Sequence, residues 1–323
     1  MKAAVISRYG GPEAIEIHNI PRPSAGPGEL LVRVAATSFN PADAAIRAGT
    51  LDAAIPLSFP FTLGWDFSGI VEEAGAGVSE FSPGDRVFGL QDWARGGAGA
   101  EFLVAEANIT AKAPDCFPLG DVAALPGAAL CAWQALLIHG RVRSGQRVLV
   151  NGAAGGVGVL AVQIAKAHGA QVIAVASSQR VGLLTELGAD RFVDYTRQPI
   201  PDALKDDKLD LILNFSPASR ADVDCMAGFL VRGGTLVSGV EPVTPETAEQ
   251  LGIKAIRMRT ERNASQLAQI ATLVETGQLK PVVARYLPLE QYAEAHRDSG
   301  HGPGKTLILA SSSISDRDGI WRC

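Results

Sequence analysis

The stretch "RVLVNGAAGGVGVLAVQIAKAHGAQVIAVASSQR", residues 147–180, restricts the possible fold more than any other part of the chain. The apolar run at 147–151 reads as a buried strand. Gly152, Gly155 and Gly158 follow at every third position, with Gly156 beside Gly155. A helix is expected over 156–168 and a second strand over 171–176. Glycine permits a tight turn and lets backbone N–H groups approach a ligand closely. The helix adds the positive end of its dipole, which suits an anion. Small residues such as Ala161 and Ala165 let that helix lie close to the sheet. Glycines alone are a weak signal, but strand before and helix after are the context a dinucleotide site requires. Gly155, Gly156 and Val157 are the expected contacts with the cofactor.

The end of the second strand bears on which dinucleotide. An NAD site usually places Asp or Glu about 20 residues beyond the glycines, on the ribose 2′-OH. Here the strand ends in "SSQR", and the next carboxylate, Glu186, lies well into the following helix. Ser177, Ser178 and Arg180 offer hydroxyl donors and a cation, which suit a 2′-phosphate. The serines would serve equally to cap the next helix, and the two roles are compatible. NADPH is the expected cofactor.

Around this unit, strands and helices alternate. Strands are expected at 191–194, 209–213, 234–239 and 253–258, with helices at 180–187 and 219–230. That order implies a doubly wound parallel sheet. Before residue 110 the signals are short β runs bounded by Gly, Pro and Asp, such as "KAAVIS", "GELLVRVAA" and "GDRVFGL". One helix, "PADAAIRAG", interrupts them, with Pro41 suited to its first position and Asp43 and Arg47 spaced as an i,i+4 pair. "AWQALLIHG" reads as helix. The end of the chain reads as helix 264–276, strand 281–287, helix 289–298, strand 305–309 and a polar tail from 311.

At 323 residues, 47% hydrophobic and 20% charged, the chain is long enough for two cores of ordinary size. A net charge of −5 argues against a nucleic-acid partner. The most apolar window, 119–138, contains Asp121, Pro126 and Gln134 and does not read as a membrane span. "MKAAVISRYGG" lacks the apolar segment of a signal peptide. The cysteines, Cys116, Cys131, Cys225 and Cys323, form no CxxC pair and are expected as free thiols of a cytoplasmic protein.

The stretches "PGELLVRVAATSFNPADAAIRAG", "LGWDFSGIVEEAGAGVSEFSPGDRVFG", "LPGAALCAWQAL", "GAAGGVG", "LGADRFVDY", "GGTLVSG" and "GKTLIL" occur in this order. With them the chain resembles the medium-chain dehydrogenase/reductases, and among those the zinc-independent, quinone oxidoreductase-like branch. The resemblance runs from residue 1 to about 310. It implies an α/β protein with a GroES-like β domain, 1–117 and 261–323, and an inserted Rossmann domain, 118–260. It implies that Asn40 sits near the nicotinamide ribose or carboxamide, that Tyr195 joins Ser177 and Arg180 at the 2′-phosphate, and that Gly239 and Val240 meet the nicotinamide end. Cys131 stands where the family often has a threonine that helps hold the cofactor; a thiol is a weaker donor. The tyrosines often found after the "N..D" stretch are replaced by Ala44, Ala45 and Thr50. A homodimer joined along the 253–258 strand is implied too.

No metal is expected. A catalytic zinc needs three protein ligands. Where zinc-dependent relatives carry Gly-His-Glu, this chain has Gly64, Trp65 and Asp66, and no cysteine lies near residue 38. Asn40 and Trp65 are the candidate catalytic residues, Trp65 as a wall of the substrate pocket or as core. Asp66 is expected to hold backbone through hydrogen bonds. Lys305 is expected either to approach the cofactor or to be solvated. The expected reaction is hydride transfer from NADPH to a quinone or an α,β-unsaturated carbonyl compound. Two alternatives stay open: an NADPH-binding protein without turnover, and an enoyl-thioester reductase, for which the local cluster Arg257, Arg259 and Arg262 could serve or could simply be solvated.

Overall fold

The computed structural model describes residues 1–298 and 302–310. The expected polar tail, with Cys323, and His301 lie outside these residues. The chain opens with β1 (Lys2–Ile6), β2 (Ile15–Asn19), β3 (Glu29–Ser38) and the helix α1 (Pro41–Arg47). β4 (Phe61–Thr62), β5 (Asp66–Ala74), β6 (Arg86–Leu90), β7 (Phe102–Glu106) and β8 (Thr110–Lys112) precede α2 (Leu119–Val122) and α3 (Pro126–Trp133). Then come β9 (Arg147–Asn151), α4 (Gly158–Ala167), β10 (Gln171–Val175), α5 (Val181–Glu186), β11 (Arg191–Val193), α6 (Ile200–Leu204) and β12 (Leu209–Asn214). α7 (Arg220–Ala227), β13 (Leu230–Ser238), α8 (Pro245–Leu251) and β14 (Lys254–Arg257) follow, and α9 (Ala264–Glu275), β15 (Val283–Pro288), α10 (Tyr292–Arg297) and β16 (Lys305–Leu309) complete the described chain.

Two compact units result. The first comprises Met1–Gly127, Arg262–Gly277 and the chain from Pro281; the second comprises Ala128–Glu261 and Gln278–Lys280. The break expected at 117/118 falls at 127/128. α2 packs on β3 and β5, and the Gly127 N–H donates to Asp66 Oδ1 at 2.6 Å, so this stretch belongs with the strands. Residues 278–280 join the second unit because Gln163 and Lys280 exchange two hydrogen bonds, at 2.8 and 3.1 Å.

In the first unit the larger sheet runs β15-β16-β3-β5-β6-β8, with β7 also paired to β3, and a smaller one runs β2-β1-β4. β3 carries the core, with Leu30, Val32 and Val34 packing against Phe67, Val71, Val87 and Leu103. The last strand, β16, pairs antiparallel with β3, placing Leu307 opposite Ser38 and Leu309 opposite Ala36. That register carries Lys305 alongside the turn at Phe39 and Asn40. The expected Asp43–Arg47 pair does not form. Arg47 instead donates to the Gly10 carbonyl at 3.0 Å and to His296 Nδ1 at 2.9 Å, while Asp43 Oδ2 accepts from the Asn40 backbone N–H at 2.8 Å.

In the second unit a six-stranded sheet has the order β11-β10-β9-β12-β13-β14, all neighbours parallel. This is the doubly wound Rossmann order, with its reversal point beside β9. Its strands are apolar because helices cover them: Leu149, Ile173, Val175 and Ile212 pack with Val223, Met226 and Leu236. β14 is an edge strand whose Lys254 and Arg257 are exposed. α6 and α8 are additional to the expected elements, each being one short, polar-flanked helix. Among the described residues no helix is long and apolar enough to cross a membrane.

His296 sits in the first unit, stacked on Tyr292 and edge-on to Phe39. Burial, with the neighbouring Arg47 cation, lowers its pKa from 6.5 to about 3. The folded form therefore refuses a proton that the unfolded chain accepts near pH 6.5. Stability from this site is complete above that pH and is lost as pH falls toward 3, with a slope of about 1.4 kcal/mol per pH unit. Buried Asp43 acts in the opposite sense, because desolvation raises its pKa well above the ordinary value. Its contribution is complete below the unfolded carboxylate range and is lost as pH rises from there through its raised folded value. The His296→Gln variant should therefore lose less melting temperature than the parent between pH 7 and pH 5, and Asp43→Asn should gain stability at neutral pH. Thermal unfolding across that range checks both. A parental acid-side loss in the Gln variant would clear His296 as its source.

Candidate functional site

The glycine turn follows β9 as the spacing predicts, and its glycines serve different ends. Gly152 has φ +81°, a region costly for other residues. A Cβ on Gly158 would lie 2.1 Å from the Gly152 carbonyl oxygen, so only glycine lets α4 begin against the turn. Gly155 is exposed, and a Cβ there would stand 3.4 Å from its nearest neighbour, the Gly152 oxygen. The protein itself does not require glycine at 155. What a side chain would fill is open space above the turn. Gly156 and Val157 are half-buried beside it and lead into α4.

At the end of β10, Ser177 occupies the N-cap position of a 3-10 turn, Ser178–Arg180, yet its side chain makes no capping hydrogen bond. The hydroxyl is not committed to capping. Among the described residues Arg180 has no ion-pair partner. Tyr195 is 57% exposed after β11. One carboxylate was not anticipated here. Asp194 Oδ2 accepts from the Ser178 N–H at 3.1 Å, while Oδ1 accepts from the Thr196 N–H at 2.9 Å and its hydroxyl at 2.6 Å. These bonds, the Thr196 hydroxyl foremost, hold its pKa below the usual range. The carboxylate is thus occupied in shaping the loop that presents Ser177 and Ser178.

Gly239 and Val240 follow β13 on the same edge of the sheet. Behind them runs a buried polar ladder that sequence reasoning missed. Asn151 Nδ2 donates to Asn214 Oδ1 at 2.9 Å, and Asn214 Nδ2 donates to Ser238 Oγ at 3.2 Å. It ties together the carboxyl ends of β9, β12 and β13. The clue lay in three polar residues, each closing an otherwise apolar strand. Cys131, in α3, is half-buried and, like the exposed Cys225, is not in a disulfide; Cys116 is not a free thiol, which corrects the expectation for that residue.

In the first unit the candidates are Asn40 and Trp65. Trp65 is 0% exposed, its indole N–H donating to the Trp93 carbonyl at 3.0 Å and its ring packed between Phe61 and Trp93. It offers no surface to a substrate, so the core reading replaces the pocket wall and the catalytic assignment. Asn40 is half-buried. Its Nδ2 donates to Asp66 Oδ2 at 2.8 Å, and its Oδ1 accepts from Lys305 Nζ at 2.5 Å. Asp66 is fully buried, and besides the Gly127 N–H it accepts the Ser38 hydroxyl. Lys305, 5% exposed, is not a solvated lysine. Arg262, expected in a basic cluster, is paired with Asp92 at 2.9 Å and Glu106 at 3.0 Å.

Family models match both parts of the chain: an alcohol dehydrogenase GroES-like domain over 26–115, and a zinc-binding dehydrogenase domain over 187–308. The chain is 32% identical to the mouse mitochondrial NAD(P)H oxidoreductase RTN4IP1, covering 95% of this chain and 89% of that protein. It is also 32% identical to rat quinone oxidoreductase, covering 94% and 95% respectively. Among solved structures, the Escherichia coli quinone oxidoreductase complexed with NADPH superposes with a TM-score of 0.84 at 25% identity, over 96% of this chain and all of that one. The chain belongs to the medium-chain dehydrogenase/reductase superfamily, an oxidoreductase family. Within that superfamily it groups with the quinone oxidoreductases.

The zinc in the second model's description does not fit this donor set. The position of the histidine ligand is the buried indole of Trp65, and both Asp66 oxygens are already hydrogen-bonded, with the Lys305 ammonium 3.5 Å from Oδ2. Among the described residues no group of three or more His, Cys, Asp or Glu is placed to hold a metal ion.

The glycines supply a direct check on the turn. Gly155→Ala should fold with parental stability and bind NADPH roughly tenfold or more weakly, about 1.4 kcal/mol. Gly158→Ala should instead lower the melting temperature by several degrees, from the 2.1 Å clash. Calorimetric titration with thermal unfolding separates the two. Parental NADPH affinity in the alanine-155 variant would remove that residue from the pyrophosphate site.

Proposed function

We propose that the protein is a zinc-independent, NADPH-dependent reductase of quinones or α,β-unsaturated carbonyl compounds. The observation that carries the cofactor choice is the pairing, after β10, of an uncapped Ser177 hydroxyl with an Arg180 that has no ion-pair partner among the described residues. Both are donors suited to a 2′-phosphate, and Ser178 and Tyr195 flank them. Gly155, Gly156 and Val157 would hold the pyrophosphate, and Gly239, Val240 and Cys131 the nicotinamide end. The relatives' descriptions as quinone oxidoreductases, one complexed with NADPH, point the same way.

NADPH, when bound, supplies the hydride. What the chain contributes is orientation and hydrogen-bond donors. With no zinc to polarise an isolated carbonyl, an acceptor that delocalises incoming charge is favoured. In an enone, charge arriving at the β-carbon would spread to the carbonyl oxygen, where a donor from the chain would meet it. Asn40, whose Nδ2 retains one N–H, is suited to meet the developing charge on oxygen. The pairing of Arg262 with Asp92 and Glu106 takes one arginine from the cluster that could have served a carrier-bound acyl substrate. Purified protein should oxidise NADPH with a quinone or enone at least ~10²-fold faster than with the matching saturated ketone, with no stoichiometric zinc by elemental analysis. Arg180→Ala should weaken NADPH binding about 10- to 150-fold, for one charge-assisted bond of ~1.5–3 kcal/mol, and leave NADH nearly untouched. Equal losses for both cofactors would overturn the 2′-phosphate assignment; NADPH binding with no turnover on any conjugated acceptor would favour a non-enzymatic role.

The reading includes a homodimer joined along β14. An exposed edge offers unpaired backbone groups, and a two-fold axis is the commonest symmetry. Light scattering should give about twice the 33.7 kDa chain mass. A monomer at micromolar concentration would defeat it.

A further inference from the structure

We infer that Lys305 is a positioning residue, which fixes the orientation of the Asn40 amide so that its second Nδ2 N–H stays available to an acceptor; this rests on the reductase reading above. The β16–β3 register brings the lysine beside the turn that follows β3. Its ammonium donates to the Phe39 carbonyl at 2.7 Å and to Asn40 Oδ1 at 2.5 Å, and stands 3.5 Å from Asp66 Oδ2. Two of its N–H groups are thus hydrogen-bonded, and the charge is paired with the Asp66 carboxylate. Asn40 is gripped at the other end too, through Nδ2 to Asp66 Oδ2 at 2.8 Å.

The amide therefore lies between a cation and an anion, each matched to the correct end. Rotating it by half a turn would set its NH₂ group against the ammonium and its oxygen against the carboxylate. Two charge-assisted hydrogen bonds would become two repulsions. The polarity of the pair leaves one amide orientation. It also draws electron density toward Oδ1, which makes the remaining Nδ2 N–H a stronger donor. Lys305, Asp66 and Ser38 are buried, whereas Asn40 is only partly so. The cluster keeps its charges inside and presents one neutral, polarised donor.

The test uses the full chain with 15N-labelled asparagine, the Asn40 side-chain signal being assigned by its loss in Asn40→Ser. Lys305→Met, close in length but uncharged, should shift or broaden that signal in the cofactor-free protein. It should lower kcat with 1,4-benzoquinone by roughly tenfold or more while NADPH affinity changes less than about threefold. Lys305→Arg should recover part of kcat. Because Lys305→Met leaves buried Asp66 without its cation, the double variant Lys305→Met/Asp66→Asn provides a control. It should regain melting temperature but not kcat. A kcat restored along with stability would mean the lysine only neutralises a buried charge, and would overturn the positioning role. So would an Asn40 signal unchanged in Lys305→Met. If the parent protein reduces no acceptor, the reductase reading fails, and the amide signal still decides the clamp: displaced in Lys305→Met it stands, unmoved it falls.

Discussion

The first unit is organised around one buried anion. A carboxylate removed from water costs several kcal/mol unless its oxygens are matched. Asp66 is fully buried, and it gathers the Ser38 hydroxyl, the Asn40 amide, the Gly127 backbone N–H and the Lys305 cation. These partners come from the end of β3, the turn before α1, the second residue of α3 and the start of the last strand. Four separate parts of the chain must be in place before the charge is satisfied. Satisfying it sets Asn40, the candidate residue of this unit, in a single orientation.

The second unit depends on a different constraint, close backbone approach. α4 can begin against the turn only because Gly158 has no Cβ, and the turn can close only because Gly152 takes a positive φ. The strand ends beside it are braced by Asn151, Asn214 and Ser238, which exchange side-chain hydrogen bonds where the sheet would otherwise expose unpaired polar groups. With turn and ladder rigid, Gly155 and Ser177 are left with capacity that the protein does not use. Unused hydrogen-bonding capacity and open space at the carboxyl edge of a parallel sheet are what a phosphate-bearing ligand requires.

Much of this was legible beforehand, because periodicity and turn chemistry are local. The strand at 147–151 and the strand at 305–309 fall where expected, and α4, β10, α9 and β12 within two residues of the expected bounds. α8 had its own signals, which were overlooked: Thr244 capping the Thr247 N–H, Pro245 in the first turn and Gly252 in the left-handed region at the end. Asp194 lies 16 positions beyond Ser178, too far for local spacing to show the contact. It reaches the loop from β11, a neighbouring strand. Trp65 was misjudged for another reason. A tryptophan beside a functional aspartate reads the same whether it faces a pocket or the core, and the alternation of β5 does not extend far enough to decide.

The sequence by itself determined that this chain builds a glycine-turn nucleotide unit and that the end of its second strand lacks the carboxylate of an NAD site. Each is a matter of residue type at a fixed spacing along the chain. Only the tertiary structure decided which of these residues are free and which are engaged. Lys305 and Asn40 are 265 positions apart and meet through an antiparallel register that no local pattern encodes. The physical reason is that burial and hydrogen-bond partnership depend on what packs across the sheet. A lysine that reads as solvated becomes, once β16 lies along β3, a buried cation donating to the Asn40 amide oxygen.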